Sequence, residues 1–91
     1  MGWSWDERKA KANLAKHGIA FDLALRVFDD PLQISDFDPH PDGDRWRTIG
    51  LVRATTMVVI HTLIEPDGTG RIISARKATP SERKMYEQRY H

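Results

Sequence analysis

The chain contains no cysteine, which excludes disulfide staples and thiolate chemistry. It has no apolar run near the roughly 20 residues that a membrane-spanning helix requires. The opening Met1-Gly2-Trp3-Ser4-Trp5-Asp6 lacks the basic and apolar stretches of a secretory leader. The expectation is a soluble cytoplasmic protein with no membrane partner. Repeats and low-complexity segments are missing too, and Gly and Pro number only 6 and 5. What remains, 40% hydrophobic and 30% charged residues, is a globular balance. Ninety-one residues suit a single domain, 1–91, near the lower size limit for building its own core.

Net charge is only +1, yet it is unevenly placed. Asp29, Asp30, Asp36, Asp38, Asp42 and Asp44 crowd a span without Lys or Arg, whereas Arg71, Arg76, Lys77, Arg83, Lys84 and Arg89 face only Glu82 and Glu87 beyond residue 70. A basic segment of this kind gathers phosphates, and an acidic one repels nucleic acid.

Good helix formers run from Glu7 to His17, with Ser4 or Asp6 as cap and Gly18 as terminator. Ala10, Leu14 and His17 share one side of that helix. Phe21, Ala24, Leu25 and Phe28 recur at helical spacing, so Ile19–Phe28 reads as a second amphipathic helix, stopped by Asp29-Asp30-Pro31. Leu32–Asp36 alternates as a short edge strand. The loop Asp38-Pro39-His40-Pro41-Asp42-Gly43-Asp44 is too broken for an element, and His40 among its carboxylates does not by itself make a metal site. Arg45–Val52 alternates, with Trp46, Thr48 and Gly50 on one face and Arg47, Ile49 and Leu51 on the other. Thr56–Leu63 is the most apolar run and reads as a central strand buried on both faces. His61 near its end points into the core or into a cleft beside it.

Arg71 to Tyr90 organises the rest. Ile72 and Ile73 follow the Pro66-Asp67-Gly68-Thr69-Gly70 turn and make a strand. Thr79, Pro80 and Glu82 spell a capping box that opens the closing helix. Arg76 and Lys77 lie at the handover, beside the N–H groups of a helix start, an arrangement suited to phosphate. Met85 and Tyr86 share the face of that helix that packs on the sheet or lines a site. The order of two helices, four strands on short turns and a last helix predicts an α+β domain with a four-stranded antiparallel sheet.

Four ordered blocks resemble the BrnT-type toxins of bacterial type II toxin–antitoxin systems. They are Trp5-Asp6-Glu7 through Asn13-Leu14-Ala15-Lys16-His17-Gly18; Phe21, Ala24 and Val27-Phe28-Asp29-Asp30-Pro31; Arg45-Trp46-Arg47-Thr48-Ile49-Gly50; and Arg71-Ile72-Ile73-Ser74-Ala75-Arg76-Lys77-Ala78 with Glu82-Arg83 and Tyr86. Ala20, where the family has a small polar residue, and Trp46, where it has Phe, depart from the pattern. The resemblance implies a RelE-like fold and a ribonuclease that arrests translation, with no cofactor and no metal. It also implies neutralisation by a BrnA-like ribbon-helix-helix antitoxin, and operator DNA bound only through the toxin–antitoxin complex. RNA cleavage of this type needs a base for the 2′-hydroxyl, cations for the phosphorane and an acid for the leaving oxygen. The expected catalytic set is His61, His17, Arg76, Glu82 and Tyr86, converging over one face of the sheet, with Lys16, Arg71, Lys77 and Arg83 binding RNA phosphates. The alternative expectation is a catalytically inactive module that binds RNA or antitoxin.

Overall fold

A computed structural model describes residues 2–39, 41, 43, 45–62 and 64–88. The expectations that involve His40, Asp42, Asp44, Leu63, Arg89 and Tyr90 lie outside those residues. Helix α1 spans Glu7–His17, and Asp6 rather than Ser4 caps it, accepting from the N–H of Arg8 at 2.8 Å. Gly18 ends it in the left-handed region, at φ 71°, and returns its N–H to Leu14 O. The expected second helix is shorter and changes character. Only Phe21–Ala24 is α-helical (α2), and Leu25–Asp29 tightens into a 3₁₀ turn before Pro31. Ala20 gives α2 no side-chain cap, as its non-polar side chain dictates.

The sheet holds β1 (Trp3–Ser4), β2 (Ile34–Asp38), β3 (Arg45–Val52), β4 (Thr55–His61) and β5 (Gly70–Lys77), in the spatial order β1-β5-β4-β3-β2. The four longer strands are antiparallel neighbours, as the short turns require. The two-residue β1 adds a parallel pairing to β5, so the sheet is mixed and carries a fifth strand beyond the four expected. β4 is central, and its Val58 and Val59 have no solvent exposure.

Cross-strand register divides the sheet into two faces. Thr48, Gly50, Met57, Val59, Ile72 and Ala75 look toward α1, α2 and the 3₁₀ turn, forming the main core with Ile19, Phe21, Ala24 and Val27. Gly50 permits this packing: a Cβ there would lie 2.9 Å from Val27 Cγ1 and 3.0 Å from Val27 O. The opposite face carries Ile49, Val58 and Arg76, over which α3 (Pro80–Gln88) lays the buried Tyr86. Ile34, Ile60 and Ala78 complete that smaller cluster.

Asn13 is buried in α1 and was not distinguished by the sequence pattern. Its Nδ2 donates to Ala75 O at 2.8 Å and Ile19 O at 3.0 Å, and its Oδ1 accepts from Ala75 N at 3.1 Å. The side-chain amide thus takes the place of a neighbouring strand along β5 and fixes α1 to the sheet. Ala10 and His17 of the expected apolar stripe are only half-buried and Leu14 is half exposed, because this amide sits at the centre of the contact.

Candidate active site

Beside α3, the second face of the sheet is only partly covered by the described residues. Asp36, Arg47, Ile60 and Ser74 form one cross-strand row there, from β2 to β5, and all are part-exposed. Alternation places Arg47 on this face because Thr48 is committed to the core. Its guanidinium grips Asp36 edge-on, Nε to Oδ1 at 3.0 Å and Nη2 to Oδ2 at 2.5 Å. Nη1 donates to Glu82 Oε2 at 3.2 Å. Arg76, one row along, donates to both oxygens of Glu82 at 2.6 and 2.9 Å.

Glu82 is therefore shared between two arginines. The capping box holds it in place: Thr79 N–H donates to Oε1 at 2.9 Å, and Glu82 N–H donates to Thr79 Oγ1 at 3.2 Å. Its side chain is 8% exposed, against 28% for Arg47 and 32% for Arg76. The Arg76 guanidinium, with help from Thr79, outweighs burial and brings the Glu82 carboxyl down to about 2. Glu82 is thus a fixed anion at neutral pH, unable to donate a proton. Both guanidiniums are held further above their ordinary value, Arg47 chiefly by Asp36 and Arg76 chiefly by Glu82.

The histidines do not join this cluster. His61 pairs with Trp46 in register and faces the helix-covered side, 2% exposed, against the edges of Trp3 and Phe28. Its Nδ1 lies 2.6 Å from Thr62 O, and since a carbonyl only accepts, Nδ1 carries the proton. Nε2 then accepts from Thr48 Oγ1 at 2.6 Å, which in turn contacts Ser35 Oγ at 2.7 Å. Burial lowers its pKa, so the ring is neutral at pH 7. His17 ends α1 on that same helix side. The expected convergence of both histidines with Arg76 on one face does not occur, because strand alternation and the packing of α1 send them to the other.

Tyr86 is on the arginine side of the sheet but is buried under α3, where its hydroxyl donates to Asp30 Oδ2. Asp30 also receives the N–H groups of Leu51 and Leu32. Burial pushes its carboxyl up, but the bonds from Tyr86, Leu51 and Leu32 prevail and leave it lowered. Tyr86 thereby ties α3 to the end of the 3₁₀ turn. Lys16 is exposed on α1, and Arg71 lines a separate cleft with Ser4, Thr62 and Glu65. Lys77 and Arg83 come together in a depression on the far side of the α3 start. Among the described residues no three His, Asp or Glu side chains gather as metal ligands would.

Arg47 joins this cluster although it is not among the residues expected from the sequence. Its signal was present: a cation on the strand face opposite the core, beside an acidic edge strand.

Three N-terminal helical segments, a mostly antiparallel sheet and a C-terminal helix that supplies one carboxylate to two strand arginines make an α+β domain of the RelE-like arrangement. Residues 5–82 match the family described as ribonuclease toxin, BrnT, of type II toxin–antitoxin systems. The chain belongs to that family and is a ribonuclease toxin. No match was found among curated proteins.

Proposed function

We propose that the Arg47–Glu82–Arg76 cluster holds the scissile phosphate of RNA on the open sheet face, and that cleavage proceeds without a metal. In this reaction the 2′-oxygen bonds to the adjacent phosphorus as the P–O5′ bond breaks, the 2′-hydroxyl proton passing to solvent water and the departing 5′-oxygen taking one from it. Charge accumulates on the phosphorane, and fixed guanidiniums aimed at it lower the barrier. The observation that carries this reading is the donor arrangement. Each guanidinium has five N–H donors. Arg47 commits three to Asp36 and Glu82, and Arg76 three to Glu82 and Lys77 O. The rest belong to side chains about a third exposed, beside a part-exposed strand row.

Glu82 is a positioning residue in this scheme. Within the same proposal, an antitoxin of the BrnA-like ribbon-helix-helix kind neutralises the toxin, operator DNA is reached through that complex, and RNA cleavage in the cytoplasm arrests translation. A second reading, binding without catalysis, is favoured by one feature: neither histidine reaches this face. Purified Arg47→Ala and Arg76→Ala proteins distinguish the two. Each is expected to lose about 10²–10³ in kcat on an RNA substrate. Arg47→Lys and Arg76→Lys, which leave Glu82 a charged partner and so preserve the fold, should be intermediate. Wild-type rates in all four folded variants would overturn the assignment.

A further inference from the structure

The cluster that orients a phosphate is poorly suited to attract one. Arg47 and Arg76 are matched by Asp36 and Glu82 at hydrogen-bond distance, so the group sums to no net charge. An RNA strand, whose binding draws on the release of counterions from its phosphates, gains little from such a group at long range. The attraction must come from cations that have no carboxylate of their own.

On the other side of the α3 start, Ala54, Thr55, Thr56, Lys77, Ala78 and Arg83 line a depression of about 240 Å³. Among the described residues its lining holds two cations, two threonines and no carboxylate. Lys77 and Arg83 are both exposed, and among the described residues neither side chain makes an ion pair or hydrogen bond. The first turn of α3 is not what makes this place receptive, since its capping groups are already taken by Thr79 and Glu82. What makes it so is uncompensated positive charge beside two hydroxyls, in a hollow framed by the β3–β4 turn and the end of β5. Continuity with the cluster is covalent: Arg76 and Lys77 are consecutive in β5, and alternation sends their side chains to opposite faces around one strand end.

We infer that this depression is a second phosphate subsite, which binds a backbone phosphate flanking the scissile one and supplies the affinity that the neutral cluster lacks. The inference rests on the proposed site at Arg47 and Arg76. It divides the work: the matched arginines set geometry at the reacting phosphorus, and Lys77 with Arg83 hold the strand. An acidic antitoxin segment would meet the same charges, but the place of this depression beside the proposed scissile-phosphate site, joined to it through the consecutive Arg76 and Lys77, favours RNA.

The test uses full-length protein, a fully 2′-O-methylated RNA oligonucleotide that cannot be cleaved, and the matching unmodified RNA. Binding is followed by fluorescence anisotropy between 50 and 200 mM salt, and steady-state cleavage is measured in parallel. Lys77→Glu with Arg83→Glu is expected to raise Kd and KM about tenfold or more and leave kcat within about twofold. The slope of log K against log salt should fall by about 0.7 for each phosphate that is no longer neutralised. Lys77→Ala with Arg83→Ala should show the same slope change with a smaller drop in affinity, which separates removal of the cations from introduced repulsion. Unchanged Kd and slope in the folded double variants would overturn the inference, as would unchanged RNA binding accompanied by weakened binding of an acidic antitoxin peptide. Full cleavage by the Arg47 and Arg76 variants would instead remove the proposed catalytic cluster, and the anisotropy slopes would still report on Lys77 and Arg83.

Discussion

His61 owes its position to a single register choice. With Trp46 opposite it and Thr48 beside it, the imidazole is turned into the aromatic pocket of Trp3 and Phe28, and its two nitrogens are satisfied by Thr62 O and the Thr48 hydroxyl. Such a ring supports the fold and touches no substrate on the arginine face. His61→Gln is therefore expected to lower stability by roughly 1–3 kcal/mol, since one buried partner loses its bond, with little change in kcat. Thermal melting and RNA cleavage measured on the same preparation would check it. A hundredfold loss of kcat at unchanged stability would show that the histidine acts in the chemistry after all. Glu82 presents the converse case. Its carboxylate is enclosed by Arg47, Arg76 and Thr79, so removing it leaves two close cations without an anion between them.

At the scale of elements, α1 is held as much by hydrogen bonds as by apolar packing. Its apolar side is thin, Leu14 remains half exposed, and the helix is kept against β5 by the Asn13 amide. Asn13→Ala would leave Ala75 N–H, Ala75 O and Ile19 O without these partners in a buried place. The expected cost is about 2–4 kcal/mol, judged from the penalty for orphaned buried polar groups. Urea unfolding would measure it, and Asn13→Asp should fail to rescue because a carboxylate cannot donate to the two carbonyls. A loss below about 0.5 kcal/mol would mean that water replaces the amide and that α1 is held by other contacts. The break between α2 and the 3₁₀ turn has a similar local origin. Ala20 offers no side-chain cap, Pro31 forbids extension, and the segment must pass within van der Waals distance of Gly50.

Across the whole molecule, the shifted carboxyls and the shifted histidine among the described residues agree in direction. Glu82, Asp30 and His61 all have folded-state pKa values below their ordinary ones. In each case the unfolded chain binds protons that the folded one refuses, so stability rises with pH across the window between the two values. The His61 contribution is complete above its ordinary 6.5 and declines as pH falls below it. The Glu82 contribution is complete above 4.5 and is lost as pH falls toward about 2, on the order of 3 kcal/mol at most. A melting-temperature profile is expected to be flat above pH 7, to slope gently from 6.5 and to fall steeply below 4.5. Glu82→Gln should flatten the steep limb and His61→Gln the gentle one. A profile without either change would show that other groups govern acid unfolding.

Local chemistry was enough to write down most of the elements: the helix start at Glu7 with Ser4 or Asp6 to cap it, the Thr79 cap, the Gly18 stop, the alternation of Arg45–Val52 and the capping box at Glu82 depend on residues within a few positions of one another. The family, too, was legible, because its blocks are runs of neighbouring residues in a fixed order. Tertiary structure decided what acts with what. Whether His61 faces a cleft or the core depends on which side of the sheet the helices cover. That Glu82 answers to Arg47 as well as Arg76 depends on a contact 35 positions apart in the chain. Asn13 meets Ala75 across 62 positions, with no periodicity to announce it. Caps and strand faces follow from the geometry of adjacent peptide units, and a site follows from the packing of distant ones, which neighbouring residues do not encode.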